Sequence, residues 1–294
     1  MTTTTIPAQV ARPSQPIAGF MFDVDGTLLL SDRSLGSYEV LPGAIEVLAA
    51  LKERSVPFAL LTNGSAYPPR EQAARLRKIG LPVEDSQMIT PSSVTADHMS
   101  RRGIGRVLVL GSRGVGQALL DSGIETVYTG EPAASHVDAV YVGWHPDCGM
   151  PDIEVACDAI WAGAKLYAAS DVPFFATKQG RTIGYTFAII GAIRRLTKAP
   201  VIVTGKPSLR ALRFVADRLG VAVRKMAVVG DDPIVEAVMA RRAGATMFGV
   251  TTGITTLEEW VRQPEMRRPH AVLEDLRDLL PDGNGAIGVS VPAG

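Results

Sequence analysis

Two aspartates, Asp23 and Asp25, stand two residues apart at the point where a short apolar run ends. A run of this kind is typical of a buried parallel strand that delivers polar side chains to its carboxyl end, and open α/β sheets bind ligands at that end. Gly26 follows directly and permits a tight turn and a close approach of the backbone to an anion. Because the two carboxylates repel each other, a divalent cation or a shared proton must offset their charge. Taken alone, the pattern also fits an acidic turn after a core strand.

A second polar segment, Thr62-Asn63-Gly64, follows a predicted strand over residues 57–61. A hydroxyl, an amide and a glycine at a strand end can bind phosphate through the hydroxyl oxygen and backbone N–H groups. Asn-Gly is also a strong turn signal, so a plain turn is the alternative interpretation. The position of this segment, one predicted helix after Asp25, favours the phosphate site.

Later in the chain, Lys206 lies between a glycine and a proline, after a predicted strand over residues 201–203. A lysine held there is well placed to neutralise phosphate or carboxylate charge, although a lone lysine before a helix is usually solvated. Another apolar run, residues 226–230, delivers Asp231 and Asp232 to a strand end, and Glu236 lies five residues past Asp231. Carboxylates of this kind suit Mg²⁺, which prefers oxygen ligands.

Taken in order, these four motifs resemble the motifs of the haloacid dehalogenase (HAD) superfamily of phosphohydrolases. The large insert between the second and third motifs is similar to that of the class IIA branch. The resemblance implies an α/β protein whose core is a Rossmann-like, doubly wound parallel sheet carrying an inserted α/β cap domain. We expect the core at residues 17–94 and 204–294, the cap at 95–203, and a disordered lead-in at 1–16.

What the resemblance implies for function is a Mg²⁺-dependent phosphatase that hydrolyses a small phosphomonoester, such as a sugar phosphate, phosphoglycolate or a nucleotide. Asp23 would attack phosphorus and form an aspartyl-phosphate, while Asp25 would protonate the leaving oxygen and then activate water. Thr62 and Lys206 complete the predicted catalytic set. The predicted phosphate-binding residues are Gly26, Thr62, Asn63, Gly64 and Lys206, and the predicted metal-binding residues are Asp23, Asp25, Asp231 and, in an outer position, Glu236.

The alternative function is a regulator on the same fold that binds a phosphometabolite without turning it over. A halide-removing dehalogenase is disfavoured, because Asp25, Thr62 and Lys206 suit phosphate, and a phosphomutase usually has a smaller cap. The chain also departs from the branch at two places. Val235-Glu236 replaces the usual Thr-Asp pair, and Ser170-Asp171-Val172 replaces the usual Asn-Pro-Asp. The substrate is therefore not identified by the resemblance.

Three residues of the insert are candidates for selecting the leaving group, namely His145, Ser170 and Asp171. His145 is interpreted as a lone histidine, with no second histidine or cysteine at ligand spacing, and a metal-binding role is not expected for it. The two cysteines, Cys148 and Cys157, support neither a disulfide scaffold nor a zinc site, since their spacing matches no common zinc pattern.

The glycine-rich segment Gly111–Gly116 is superficially similar to a dinucleotide-binding fingerprint. Its spacing is GxxGxG rather than GxGxxG, and no acidic residue ends a second strand at the expected distance. We interpret it as a structural turn between a strand and a helix. A nucleotide-binding module that uses this segment is the remaining alternative.

The composition sets limits on the partners of this 294-residue chain. Lysine plus arginine and aspartate plus glutamate number 30 each, so the formal net charge is zero and neither nucleic acid nor an anionic membrane is an expected partner. No apolar run reaches the roughly 18 residues of a membrane span, and the N-terminal segment lacks the apolar core of a signal peptide. We expect a cytoplasmic protein whose partner is a small phosphate ester, with a possible homodimer through the cap.

Overall fold

The computed structural model describes residues 16–32, 36–132, 134, 136–178 and 180–280. The predicted lead-in before residue 16 and the glycine-rich tail from residue 281 lie outside the described residues. The chain divides into two compact units. Of the described residues, the first contains those up to 59, 176–178 and those from 216 onward, and the second contains those within 60–175 and 180–215. The boundaries expected for core and cap, at residues 95 and 204, stay predictions.

Strands and helices alternate along most of the described chain. The strands are β1 Gly19–Phe22, β2 Leu29–Ser31, β3 Tyr38–Val40, β4 Phe58–Leu61, β5 Met88–Ile89, β6 Arg106–Leu110, β7 Glu125–Tyr128, β8 Ala139–Val142, β9 Lys165–Ala168, β10 Phe174–Thr177, β11 Gly180–Ile183, β12 Val201–Val203, β13 Met226–Gly230, β14 Thr246–Val250 and β15 Ala271–Leu273. The α-helices are α1 Ala44–Glu53, α2 Pro69–Lys78, α3 Pro91–Ser100, α4 Arg113–Leu120, α5 Met150–Trp161, α6 Tyr185–Thr197, α7 Leu209–Leu219, α8 Val238–Ala243 and α9 Leu257–Val261.

The first unit is built on a parallel sheet in which β15, β14, β13 and β1 are neighbours in that order. Every residue of β1, β13 and β14 is buried, which explains why these strands are continuous apolar runs rather than alternating ones. In the register of the central pair, Phe22 lies opposite Val229. The chain therefore leaves these two neighbouring strands at the same edge, directly into Asp23 and Asp231.

The second unit contains a five-stranded parallel sheet of order β12-β9-β8-β6-β7. Alternate residues of a strand point to opposite faces, and in β6 both faces are covered. Val107 and Val109 pack in a cluster with α3 and α4, whereas Leu108 and Leu110 pack in a cluster with α5 and α6. Together with the sheet of the first unit, this arrangement confirms the predicted α/β fold class with parallel sheets.

The second unit also contains the polar segment that follows β4. The last two residues of β4 pair in parallel with β5, so that Leu61 lies opposite Ile89. The Thr62 N–H then donates to the Ile89 carbonyl oxygen at 3.2 Å. The backbone of Thr62 is therefore fixed as the chain leaves the sheet.

The polar segment Leu29–Val40, which the sequence predicts as a loop, is instead an antiparallel hairpin where it is described. Leu29 pairs with Val40 and Ser31 pairs with Tyr38. The two strands have only three residues each, too short for an alternating pattern to stand out against the polar residues between them.

The sequence also predicts helices over residues 117–120 and 183–196, and both boundaries at the start are wrong. The first helix begins four residues earlier, at Arg113, so most of the glycine-rich segment is helical. The helix expected from Ile183 begins at Tyr185, because Ile183 ends β11. Near the end of the described chain, the helix expected over residues 274–280 is a short 3₁₀ segment, Leu276–Leu279. Among the helices of the described residues, none combines the length and the apolar character that crossing a membrane requires.

Candidate active site

Carboxylates concentrate at the edge of the first unit's sheet, where β1 and β13 end. Asp23 and Asp231 are each 4% exposed, and Glu236 is 1% exposed. Burial, together with the charges of Asp23 and Glu236, raises the pKa of Asp231 well above its usual range. Burial disfavours the charged form of a carboxyl, and nearby negative charges disfavour it further. The edge is therefore an electronegative cluster of oxygen atoms that a bound cation would stabilise.

Hydroxyl groups orient the two aspartates of the first motif. The Thr27 hydroxyl donates to Asp23 Oδ2 at 3.0 Å within the buried interior, and the Ser31 hydroxyl donates to Asp25 Oδ1 at 2.7 Å. Gly26 has φ +93°, a conformation that favours glycine. Asp23 is buried and Asp25 is half-buried, so the two carboxylates have different surroundings and can perform different tasks.

Asp231 is held by a second loop, which the sequence analysis did not include in the site. The Ile254 N–H donates to Asp231 Oδ2 at 2.9 Å. A Cβ atom built on Gly253 would lie 1.9 Å from Asp231 Oδ2, and one built on Gly26 would lie 2.2 Å from the same oxygen. Two glycines therefore allow the backbone to pack directly against this carboxylate. Nothing in the local sequence pattern around Gly253 reveals this contact, because its partner lies on another strand end.

We expect Gly253→Ala to reduce activity by about 10–100-fold, because a displacement of about 1 Å near the reacting groups can have an effect of that size. The added methyl group would displace the loop and break the hydrogen bond from Ile254 to Asp231. The measurement is kcat/KM, with Gly191→Ala as the matched control. A Cβ on Gly191 meets nothing within 4 Å, and Gly191 lies inside α6, so the control should retain activity and gain stability. Equal activity of the two variants would contradict the expectation.

Glu236 reaches the site through an unusual turn of helix. Residues Pro233–Ala237 form a π-helix, a geometry that often occurs at functional sites. Glu236 Oε2 accepts a hydrogen bond from the Asp232 N–H at 3.2 Å, and the Glu236 side chain packs against Gly230. The longer glutamate side chain therefore folds back toward the end of β13. As a set of buried carboxylate oxygens, this cluster fits Mg²⁺.

In the second unit, Asn63 and Lys206 are joined by a reciprocal pair of hydrogen bonds. The Asn63 side-chain NH₂ donates to the Lys206 carbonyl oxygen at 3.1 Å, and the Lys206 N–H donates to Asn63 Oδ1 at 2.8 Å. Lys206 is 2% exposed and precedes a cis peptide bond to Pro207. The second and third motifs of the sequence, 143 positions apart, are thereby brought together within this unit.

We expect Asn63→Leu to lower kcat/KM by about tenfold or more, because it removes both hydrogen bonds that position the Lys206 backbone. Thermal unfolding, measured together with the kinetics, distinguishes displacement of the Lys206 backbone from unfolding of the protein. Ser112→Ala is the control, since the Ser112 hydroxyl donates to the Ala66 carbonyl oxygen at 3.1 Å in the same unit. A variant at Asn63 as active as this control would show that the pair does not position Lys206.

The segment Thr62-Asn63-Gly64 also holds the Thr62 side chain in place. The Gly64 N–H donates to Thr62 Oγ1 at 2.8 Å, so it orients the hydroxyl of the 2% exposed Thr62 side chain. A Cβ on Gly205 would lie 2.1 Å from the Ala169 carbonyl oxygen and 2.5 Å from Asn63 Oδ1. Glycine is therefore required before Lys206 for the chain to pass this close. The predicted phosphate-binding roles of Thr62, Asn63, Gly64 and Lys206 stay predictions.

The candidates for selecting the leaving group lie in two loops of the second unit. Ser170 lies two residues after the end of β9, and its hydroxyl accepts a hydrogen bond from the Val172 N–H at 3.2 Å. Asp171 is half-buried beside it.

In the other loop, the expectation that His145 stands alone is wrong. His145, Cys148 and Asp152 each place one possible metal-ligand atom within 4.8 Å of the other two, and the H-x-x-C spacing is the signal that the sequence analysis missed.

The glycine-rich segment of the second unit has a packing reason for each of its glycines. A Cβ on Gly111 would lie 2.7 Å from the Val115 side chain, one on Gly114 would lie 2.2 Å from the Ala66 carbonyl oxygen, and one on Gly116 would lie 2.4 Å from the Tyr128 hydroxyl. These contacts give the segment a structural role where β6 leads into α4, although most of it belongs to the first turn of that helix and not to a turn before it.

Comparison with known proteins supports the resemblance to haloacid dehalogenase-like hydrolases that the four sequence motifs indicate. The family profile of haloacid dehalogenase-like hydrolases matches residues 20–125, and a HAD-hydrolase-like profile matches residues 203–279. The chain is 26% identical over 264 residues to the 5'-nucleotidase YutF of Bacillus subtilis, an alignment that covers 90% of this chain and 97% of that protein.

Two solved structures are similar to this one over most of the chain. The p-nitrophenyl phosphatase from Archaeoglobus fulgidus has a TM-score of 0.78 at 27% identity, and the match covers 90% of this chain and 98% of that one. The glycerol phosphate phosphatase from Mycobacterium tuberculosis, solved in complex with magnesium, has a TM-score of 0.78 at 26% identity, with coverages of 91% and 78%.

The parallel α/β fold, the carboxylates at the ends of β1 and β13 and the family matches together define a phosphohydrolase. The chain belongs to the haloacid dehalogenase-like hydrolases, and the predicted family and fold are confirmed.

Proposed function

We propose that this protein is a Mg²⁺-dependent phosphatase that hydrolyses a small phosphomonoester through an aspartyl-phosphate at Asp23. The relatives reported above are named as phosphatases or as a nucleotidase, and the predicted enzyme class, a phosphoric monoester hydrolase, is confirmed. The observation that supports the finer proposal most is the pair of buried aspartates, Asp23 and Asp231, at the ends of neighbouring parallel strands.

In the proposed first step, an oxygen of Asp23 attacks phosphorus while Asp25 gives a proton to the leaving alcohol oxygen. Thr27 fixes the rotation of the Asp23 carboxylate by donating to Oδ2. The hydroxyl of Ser31 holds Asp25 in the same way. In the second step, Asp25 takes a proton from water, which attacks phosphorus and releases Asp23 and phosphate. Phosphoryl transfer depends mainly on such positioning and on charge neutralisation.

Charge neutralisation is shared between two groups of residues. Mg²⁺ would be held by the carboxylates of Asp23 and Asp231 and by the backbone carbonyl of Asp25. Glu236 would contribute from an outer position. The ion, when bound, supplies positive charge to the phosphate oxygens. Thr62, Asn63, Gly64 and Lys206 would donate to the remaining oxygens, with Gly26 giving the backbone room to approach. The buried position of Lys206 suits a role of this kind, because charge interactions are stronger in a low-dielectric site.

The proposal is tested by phosphate release from a broad panel of phosphomonoesters, with Mg²⁺ and with a chelator. We expect release that depends on Mg²⁺ from at least one small ester, and the panel then ranks the sugar phosphates, phosphoglycolate and nucleotides. No release from any ester, in a protein that Mg²⁺ stabilises against heat, would favour the alternative, a regulator that binds a phosphometabolite without hydrolysing it.

Three further predictions belong to this proposal. The insert at residues 95–203 would act as a cap that excludes bulk water and selects the alcohol through residues such as His145, Ser170 and Asp171. A homodimer would form through this cap, which analytical ultracentrifugation of the full chain can check. A cytoplasmic location is expected, since a metabolite phosphatase works where its substrate is made.

A further inference from the structure

One cluster of side chains in the second unit has the residue types of a metal site and lies outside the predicted Mg²⁺ site. It consists of His145, Cys148 and Asp152, in the connection from β8 to α5 and the first turn of that helix. One possible ligand atom of each lies within 4.8 Å of the other two, and His145 Nε2 is 3.7 Å from Asp152 Oδ2. All three are partly buried, so the group is sheltered and still accessible to an ion.

Backbone and side-chain contacts hold these residues in place. Asp152 Oδ1 accepts a hydrogen bond from the Thr129 hydroxyl, and Asp152 Oδ2 accepts one from the Gly149 N–H at 2.8 Å. The Cys148 N–H donates to the His145 carbonyl oxygen at 3.3 Å, which closes a turn between the two residues. A carboxylate fixed by neighbouring hydrogen bonds is typical of metal sites, where such partners orient the ligands.

We propose that His145, Cys148 and Asp152 form a site for Zn²⁺ or a similar transition-metal ion, separate from the carboxylates of the first unit. Imidazole, thiolate and carboxylate are zinc ligands, whereas Mg²⁺ selects oxygen. With bonds of about 2.0–2.3 Å in a tetrahedron, the ligand atoms lie about 3.3–3.8 Å apart. The distance between His145 Nε2 and Asp152 Oδ2, 3.7 Å, is already in this range, and the ligand atom of Cys148 lies within 4.8 Å of those of the other two residues.

Three protein ligands leave the fourth position of a tetrahedral ion to water. The Cys148 thiol releases its proton to solvent when the ion binds, because the thiolate is the ligand. The bound ion would then cross-link the connection after β8 to the first turn of α5. This proposal does not rest on the phosphatase assignment, since none of the three residues belongs to the predicted Mg²⁺ site.

The test uses Co²⁺ as a spectroscopic probe for the zinc site in the full-length protein, with Mg²⁺ in excess to occupy oxygen-only sites. We expect a thiolate-to-cobalt charge-transfer absorption band at one equivalent, removed by added Zn²⁺ and retained in excess Mg²⁺. Cys148→Ser should abolish the band. Cys157→Ser is the matched control, because Cys157 is the other free cysteine and lies in the hydrophobic core, so its variant should retain the band.

A second variant separates a built site from a chance contact of a metal with a thiol. Thr129→Val removes the hydroxyl that orients Asp152, and we expect the affinity for Co²⁺ to fall about 10–100-fold while the band of the saturated protein is retained. An affinity unchanged by Thr129→Val would overturn the proposal, as would a wild-type protein without the band or a band that survives Cys148→Ser.

Should Cys148→Ser fail to fold, the wild-type protein provides the decisive measurement. Zn²⁺ bound by the thiolate should slow alkylation of Cys148, which peptide mapping distinguishes from Cys157. An alkylation rate of Cys148 that is the same with Zn²⁺ and with a chelator would overturn the proposal.

Discussion

Asp23→Asn is expected to lower the phosphatase kcat by about a thousandfold or more, as removal of a catalytic nucleophile does in other hydrolases. The amide of asparagine keeps the size of the carboxylate and can accept the hydrogen bond from Thr27, but it cannot attack phosphorus to form an acyl phosphate. The fold should be retained, since the buried position also loses a negative charge from a crowded carboxylate cluster. Retention of more than about a tenth of the wild-type rate would exclude Asp23 as the nucleophile.

A comparison of Asp23→Asn with Asp25→Asn distinguishes a nucleophile from a residue that only binds the metal ion. Acid-quenched single-turnover reactions with labelled substrate should leave phosphate bound to the wild-type protein and none bound to Asp23→Asn. Asp25→Asn should slow both steps without removing the attacking group, so a trace of bound phosphate is expected there. Asp121→Asn is the matched control, because Asp121 is an exposed residue whose carboxylate accepts from Gln117, and its activity should equal that of the wild type.

The sequence predicts the central strands well because their burial on both faces leaves a simple pattern. Residues 107–110 and 226–230 are uninterrupted apolar or small runs, and they lie in the strands Arg106–Leu110 and Met226–Gly230. A parallel strand delivers whatever follows it to one edge of the sheet, so the placement of Asp23 and Asp231 at one edge was also predictable. The pattern has a physical cause, because a strand that is buried on both faces must carry apolar side chains on both.

Contacts between distant segments could not be predicted in this way. The pair formed by Asn63 and Lys206 depends on two loops whose relative register is set by packing and not by either local sequence. The contact of the Ile254 backbone with Asp231 likewise joins two separate strand ends. In the connection after β8, by contrast, the spacing of His145 and Cys148 is visible in the sequence, whereas the approach of Asp152 to both depends on how the chain turns into α5.

Asp231→Asn is expected to stabilise the metal-free protein at neutral pH while it destroys activity. The raised pKa of Asp231, caused by burial and by the charges of Asp23 and Glu236, means that the folded state holds this proton more tightly than the unfolded state. Between the ordinary pKa of an aspartate and the raised one, the folded state binds more protons, so stability falls as pH rises through that range and stays reduced above it. Asparagine is neutral at every pH and can still accept the hydrogen bond from the Ile254 N–H.

The measurement is thermal unfolding in a chelator as a function of pH, repeated with Mg²⁺. Without metal at pH 7, the Tm of Asp231→Asn should exceed that of the wild type by a few degrees, at about 2–4 °C per kcal/mol, and the difference should shrink toward acidic pH. Added Mg²⁺ should raise the wild-type Tm more than that of the variant, because an ion that binds only the folded state stabilises it.

Asp275→Asn provides a control of opposite sign in the same unit. Hydrogen bonds from Arg277 lower the pKa of the buried Asp275 carboxyl, so its ionised form stabilises the fold above the ordinary pKa of an aspartate and this stabilisation is lost as pH falls through the lowered value. The substitution should therefore reduce the Tm at pH 7 and leave the response to Mg²⁺ intact. A Tm for Asp231→Asn at or below the wild-type value in chelator would mean that the carboxylate cluster is not under electrostatic strain, and the argument that it requires a bound cation would fail with it.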